Sequence, residues 1–235
     1  MNDLTRYMSG LLVAVEGIEG SGKTTFSKKL VKEINRRYGK LGIQAVYTYE
    51  PTNGQYGRLV KEILQGRRKP SFEAETLLLF VLDRAEHVKN FILPHLERGF
   101  IVVVDRYIHS NLAYQMAEGV DINIISFLNK DFPKPHIVFY LDCDVKTALK
   151  RIYPRYHFTA REAYDRRDFL ELVRHTYYYV LIKKMFVEYG CVFLNSTDVD
   201  VDSLVSNALS KLDAYLKPIA RIRESRAYKV KFNSL

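Results

Sequence analysis

The stretch Leu11–Thr25, with the sequence LLVAVEGIEGSGKTT, decides the fold. Its first half is an apolar, β-branched run of strand length, and its second half fits the phosphate-loop pattern G-x-x-x-x-G-K-[ST] from Gly17 to Thr24. Apolar residues from Phe26 to Ile34 then recur at helical spacing. A strand, a glycine-rich loop and a helix in this order predict a site where backbone N–H groups and a helix N-terminus hold phosphate.

Each residue type in this loop has a chemical role in binding a nucleoside triphosphate. Lys23 is a point charge for the β- and γ-phosphates, and the hydroxyl of Thr24 is placed to ligate Mg²⁺. The sequence therefore predicts ATP as a ligand and Mg²⁺ as its cofactor. The residues predicted to bind ATP are Gly17, Ile18, Glu19, Gly20, Ser21, Gly22, Lys23, Thr24 and Thr25.

Composition limits the class of protein. A chain of 235 residues fits one α/β domain of ordinary size. The first nine residues lack the apolar core of a secretory signal, and no stretch approaches the roughly 20 apolar residues of a membrane span. We therefore expect a cytoplasmic location and no membrane partner. The net charge of +9 fits small polyanionic substrates, with nucleic acid as a minor alternative because no nucleic-acid-binding module accompanies it.

Strand-like and helix-like segments alternate along the chain. Five apolar segments begin near residues 11, 43, 100, 137 and 191, and helical patterns lie between them. This alternation predicts a parallel sheet with right-handed crossovers. The predicted helices include Tyr56–Gln65, Ser71–Phe91, Phe169–Glu188 and Val201–Leu216. The apolar run Leu77–Leu82 predicts deep burial or a subunit interface.

Charged residues follow the third strand. The continuous apolar run from Phe100 to Val104 ends at Asp105 and Arg106. In open α/β sheets, ligands bind at the carboxyl ends of the strands. We therefore expect Asp105 to serve Mg²⁺ together with Thr24.

Several motifs in the correct order give the chain a resemblance to the thymidylate kinase family. The phosphate loop with its internal Glu19 is similar to that of the family. So are Glu50-Pro51, the segment from Phe80 to Arg84, and the segment from Asp105 to Gln115. The resemblance extends from about Leu11 to Leu212. It implies a three-layer P-loop NTPase fold with a five-stranded parallel sheet flanked by helices.

The resemblance also implies an activity, namely transfer of the γ-phosphoryl group of ATP to dTMP by a Mg²⁺-dependent homodimer. Phe80 would stack on the thymine ring, Arg84 would donate to a base carbonyl and Arg106 would hold the dTMP phosphate. The residues implied to bind the acceptor are Glu50, Pro51, Phe80, Arg84, Arg106, Ser110, Tyr114 and Gln115. The residues implied to take part in catalysis are Lys23, Glu19, Asp105, Arg161 and Arg155.

The two arginines belong to a cationic segment at about residues 151–167, which the resemblance identifies as a lid. Arg161 is the first choice and Arg155 the second, with Arg166 and Arg167 behind them. The domain is expected to cover residues 1–216, followed by a basic tail at 217–235.

Tyr49 stands where the family usually has Arg before Glu-Pro, so other acceptors stay open. The alternatives are a kinase for another deoxynucleotide or nucleoside, such as dUMP or thymidine, and a non-catalytic nucleotide-binding regulator.

Overall fold

The structure, a computed structural model, describes residues 10–72, 74–155 and 160–232, without the side chains of residues 155, 160–165, 219 and 221–232. Five strands form one parallel sheet in the order β2-β3-β1-β4-β5. They are β1 Leu11–Glu16, β2 Ala45–Tyr49, β3 Ile101–Asp105, β4 Ile137–Asp142 and β5 Gly190–Asn195. The predicted five-stranded α/β fold is confirmed.

Helices cover both faces of this sheet. Those of the described residues are α1 Lys23–Tyr38, α2 Gln55–Leu64, α3 Glu75–His87, α4 Leu93–Glu97, α5 Ile108–Ala117, α6 Ile122–Asn129, α7 Val145–Ile152, α8 Ala160–Ile182 and α9 Val201–Phe232. No helix in this part of the chain has the length and apolar character needed to cross a bilayer.

The apolar strands are buried on both sides because successive side chains point to opposite faces. Leu12 and Ala14 of β1 pack in one hydrophobic cluster with residues of α5, α7 and α8. Val13 and Val15 pack in a second cluster with residues of α1 and α9. This arrangement produces three layers and explains why these strands have no polar alternation.

The register of the strands brings the functional segments to one edge of the sheet. Val15 of β1 and Tyr49 of β2 both lie opposite Asp105, the last residue of β3. The loops that leave these three strands therefore meet above the same point.

Two predicted helices have different limits in the structure. Helix α3 begins at Glu75 instead of Ser71, and the Glu75 carboxylate accepts the Ser71 N–H at 2.5 Å in the preceding turn. A π-helical turn, Val88–Ile92, then joins α3 to α4, so helical backbone continues to Glu97. Helix α8 begins at Ala160, nine residues before the predicted Phe169, and ends at Ile182, six residues before the predicted Glu188.

The last helix continues well beyond its predicted end. Helix α9 extends from Val201 to Phe232 and contains Pro218, where the sequence predicted an end at Leu216. Leu216 and Ala220, on either side of Pro218, are both buried against the sheet. The backbone of α9 thus crosses the boundary drawn at residue 216, and the division into domain and tail stays a prediction.

Candidate active site

The phosphate loop lies between β1 and α1 and depends on glycine at two positions. Gly17 and Gly20 have φ angles of 147° and 80°, which side chains disfavour. A Cβ atom at Gly20 would lie 2.4 Å from the carbonyl oxygen of Ala148, and one at Gly17 would lie 2.6 Å from that of Leu141. The loop is therefore pressed against the start of α7 and the end of β4, and a side chain would displace it.

Lys23 is the first residue of α1 and is buried, with its side chain turned into the loop. Its Nζ donates to the carbonyl oxygens of Gly17 at 2.9 Å and Ile18 at 2.6 Å. Burial and the nearby Arg106 cation lower the pKa of Lys23 to about 7. The ammonium group thus lies among neutral carbonyl acceptors, and charged phosphate oxygens would bind it more strongly.

Thr24 and Asp105 meet at the centre of the site. The Thr24 hydroxyl donates to Asp105 Oδ2 at 2.5 Å. A hydroxyl and a carboxylate are oxygen ligands, which Mg²⁺ prefers, so these two residues fit the implied metal. Groups of three His, Cys, Asp or Glu side chains able to hold a metal are absent from the described residues.

Arg106 directly follows β3 and has a left-handed backbone, with φ of 69°. Its backbone N–H donates to the Val15 carbonyl at 3.0 Å, which fixes this turn beside the phosphate loop. Its guanidinium donates to Ser110 Oγ and to the Tyr114 hydroxyl, each at 3.3 Å. The same Tyr114 hydroxyl accepts the backbone N–H of Glu19 at 3.0 Å. Tyr114 therefore joins the phosphate loop to the arginine beside it.

Glu50 and Arg84 form a buried ion pair that the sequence did not predict. Arg84 donates to Glu50 Oε2 from Nε at 3.0 Å and from Nη2 at 2.7 Å. Its Nη1 donates to the side-chain oxygens of Asn111 and Asn129. His87 lies 3.0 Å from the other Glu50 oxygen. Arg84 is 1% exposed, so its orientation is fixed by these partners.

One cleft connects these groups, with a volume of about 1370 Å³. It is larger than the roughly 300–1,000 Å³ of a pocket for one drug-sized ligand. Of the residues predicted to bind the acceptor, every one lines this cleft: Glu50, Pro51, Phe80, Arg84, Arg106, Ser110, Tyr114 and Gln115. Of the predicted ATP-binding residues, Gly17 and Ile18 lie behind the cleft wall and the rest line it.

The lid arginines have different outcomes. The side chains of Arg155 and Arg161 lie outside the described residues. Arg166, ranked behind them by sequence, lines the cleft and forms an ion pair with Glu19 of the phosphate loop. Within the described part of the lid, Arg166 is thus an arginine that the fold pairs with an acidic side chain of the phosphate loop.

Sequence reasoning missed three cations and an amide that line the cleft: Lys28, Lys61, Arg151 and Asn111. Lys61 Nζ lies 5.0 Å from the centre of the ring of Tyr49, the residue that stands where the family usually has arginine. A cation therefore lies close to that position in this chain as well. Arg151 donates to the carbonyl oxygens of Gly20, Ser196 and Thr197. Asn111 lies four residues before Gln115 on α5, so the two amide side chains share one face of the helix. This spacing is the sequence signal that could have identified Asn111 as a residue of the cleft.

Comparison with known proteins gives a consistent result. A family model described as thymidylate kinase matches residues 15–190. A thymidylate kinase of Brachyspira hyodysenteriae is 35% identical over 196 residues, which cover 83% of this chain and 88% of that protein. A probable thymidylate kinase of Methanocaldococcus jannaschii is 36% identical over 213 residues, covering 90% of this chain and 98% of that protein. A probable thymidylate kinase of Pyrococcus horikoshii is 39% identical over 202 residues, with 83% and 94% covered.

Proposed function

The chain belongs to the thymidylate kinase family, and we propose that its cleft transfers the γ-phosphoryl group of ATP to dTMP. It is an enzyme that phosphorylates dTMP. The comparisons do not favour the alternatives of another acceptor or a non-catalytic regulator.

One observation carries the proposal: a phosphate loop and a separate cationic acceptor site open into the same cleft. The loop follows β1 and Arg106 follows β3, and these strands are neighbours in the sheet. Their carboxyl ends lie side by side, so a donor phosphate on the loop and an acceptor phosphate on Arg106 would face each other. Phosphoryl transfer requires this in-line arrangement and electrostatic stabilisation more than a general base.

At the donor end, the loop N–H groups and Lys23 bind the triphosphate. Because Lys23 Nζ is held by carbonyl oxygens of the loop, entering phosphate oxygens would draw it away as stronger acceptors. Thr24 and Asp105 would hold Mg²⁺, which when bound offsets the phosphate charge.

At the acceptor end, Arg106 binds the dTMP phosphate through its two terminal nitrogens. Lys61, above the Tyr49 ring, adds a second cation at this end. Phe80 is half-buried in the cleft wall and offers an aromatic face to the base, and the fixed guanidinium of Arg84 lies one helical turn further along α3.

The lid supplies the remaining cation. Arg166 pairs with Glu19, so a guanidinium already lies beside the loop that holds the transferred phosphoryl group. In the proposed reaction it moves from the carboxylate to the phosphoryl oxygens, where negative charge collects in the transition state. Arg155 and Arg161 remain further candidates for this role.

The homodimer and the cytoplasmic location also remain proposals. Helix α3 carries Leu78 and Leu82, which are 37% and 43% exposed in the single chain. Large apolar side chains on the solvent face of a helix are typical of a surface that a second copy covers.

A substrate panel tests the proposed function. ADP release in the presence of ATP and Mg²⁺ should be fastest with dTMP, slower with dUMP and absent with thymidine, which lacks the phosphate that Arg106 holds. Faster turnover of any other acceptor would reject dTMP as the substrate. ATP binding without ADP release under all of these conditions would reject the enzyme activity itself.

A further inference from the structure

A histidine and a glutamate form a buried pair behind the acceptor site. His109 lies in the first turn of α5, Glu16 ends β1, and both side chains are fully buried. The Nδ1 atom of His109 is 3.7 Å from Glu16 Oε1. The other ring nitrogen, Nε2, is 2.9 Å from the carbonyl oxygen of Met185.

These contacts determine where the ring carries hydrogen. A carbonyl oxygen only accepts, so His109 Nε2 must carry a proton to bond with Met185. The Nδ1 atom is buried and has no hydrogen-bond partner among the described residues. In a neutral ring, the lone pair of Nδ1 would face the buried carboxylate of Glu16, and these two electron-rich groups would repel each other. With a second proton, the same atom becomes a donor aimed at Glu16.

Glu16 needs such a counter-charge because its other direct partners are neutral. Its carboxylate accepts the Tyr107 N–H at 2.9 Å, the Ser110 hydroxyl at 2.6 Å and the Tyr177 hydroxyl at 3.0 Å. Burial opposes ionisation of Glu16, yet the nearby His109, the hydrogen bond from Ser110 and the charge of Arg106 keep the pKa of Glu16 below the usual value. A buried carboxylate without a cation beside it would be strongly unfavourable.

The pair is connected to the acceptor site through one hydroxyl. Ser110 Oγ, which donates to Glu16, also accepts from Arg106 Nη1 at 3.3 Å. An acceptor phosphate on Arg106 would thus lie close to a negative carboxylate. The other charged groups that act on Glu16, Arg106 and Lys23, are both committed to phosphates in the proposed reaction. Tyr177, on α8, is neutral because burial raises its pKa far above 10.

We propose that His109 is the counter-charge of Glu16 and holds Ser110 and Arg106 in the arrangement that binds the acceptor phosphate. This makes His109 a positioning residue for the proposed function, on which the inference rests. Removal of this counter-charge leaves Glu16 uncompensated and weakens acceptor binding.

The first test reads the charge of His109 directly. Nitrogen-15 NMR of the whole protein at pH 7, assigned through the backbone, should show both ring nitrogens of His109 protonated. In the Glu16→Gln variant, the same ring should be neutral at pH 7, with the proton on Nε2. A neutral His109 in the unsubstituted protein at pH 7 would overturn the proposal. This measurement does not depend on turnover, so failure to phosphorylate dTMP would reject only the proposed function.

The second test measures dTMP binding by calorimetry at pH 7. His109→Gln should bind dTMP about tenfold more weakly than the unsubstituted protein, with ATP binding changed less than twofold. His175→Gln, at an exposed position of α8, is the matched control and should keep the original dissociation constant for dTMP. Unchanged dTMP binding in His109→Gln would refute the positioning role, and the NMR test decides if that variant does not fold.

Discussion

Replacement of Arg106 by alanine should remove acceptor binding and leave the fold intact. Arg106 donates to Ser110 and Tyr114 at 3.3 Å, near the long limit of a hydrogen bond, so a phosphate can take over these donors easily. Two charge-assisted hydrogen bonds from Arg106 to the phosphate, at about 1.5–3 kcal/mol each, sum to roughly 3–6 kcal/mol. In the variant, water that takes the place of the side chain recovers part of this binding free energy. We expect a net loss of about 3–4 kcal/mol, or two to three powers of ten in kcat/KM.

The assay is ADP release measured against dTMP concentration at saturating ATP and Mg²⁺, and then against ATP at saturating dTMP. The loss in Arg106→Ala should appear in kcat/KM for dTMP, with KM for ATP changed less than threefold. Arg36→Ala is the matched control because Arg36 is an exposed arginine that pairs with Glu33 on α1. Its kinetic constants should not change.

Two outcomes would refute this reasoning. If kcat/KM for dTMP falls less than threefold in Arg106→Ala, the acceptor phosphate binds elsewhere in the cleft. If KM for ATP increases as strongly as KM for dTMP, Arg106 serves the donor and the two ends of the cleft are wrongly assigned.

Three further predictions follow from the same contacts. Because the pKa of Lys23 is lowered to about 7, its ammonium form is lost as pH rises, and kcat/KM for ATP should decline above about pH 7; a flat profile to pH 9 would contradict this. Glu50→Ala leaves a buried guanidinium unpaired and should lower the free energy of unfolding by about 3–5 kcal/mol in urea titrations, whereas Lys217→Ala, from an exposed pair, should leave the midpoint unchanged. Gly20→Ala should cost about 1–3 kcal/mol of stability and most ATP affinity because its Cβ meets the Ala148 carbonyl; normal ATP binding would show that the loop can shift.

Local patterns were enough to predict the sheet and the phosphate loop. Strands buried on both faces must be continuously apolar, so runs such as Leu11–Val15 are visible in the sequence. The loop depends on glycines and on Lys23, whose roles come from their own backbone and charge. The position of Asp105 at the end of an apolar strand led to the prediction that it serves Mg²⁺ together with Thr24. The structure places the two side chains in contact at 2.5 Å, and the metal-binding role stays a prediction.

Long-range contacts were not predictable in this way. Glu50 and Arg84 are 34 residues apart, and their pairing depends on how α3 packs over the end of β2. Helix α6, Ile122–Asn129, was missed because its exposed Ile124 and Phe127 blur the apolar face of so short a helix. The end of α9 was misplaced because proline usually stops a helix, whereas here Pro218 is contained in one.

In the proposed site, the buried position of Arg84 would determine how the enzyme recognises a base. A guanidinium has five N–H groups, and in the described part of the chain four of those on Arg84 already have acceptors on Glu50, Asn111 and Asn129. One N–H group of Arg84 is left to donate a hydrogen bond to the nucleotide that accepts the phosphoryl group. In the proposed site, Arg84 therefore donates to one oxygen of the base at one fixed position. Its guanidinium cannot rotate to match a base with a different arrangement of acceptors. A pyrimidine with an amino group at that position would place two donors opposite each other, so the proposed site would reject cytosine because its arginine is held in one orientation.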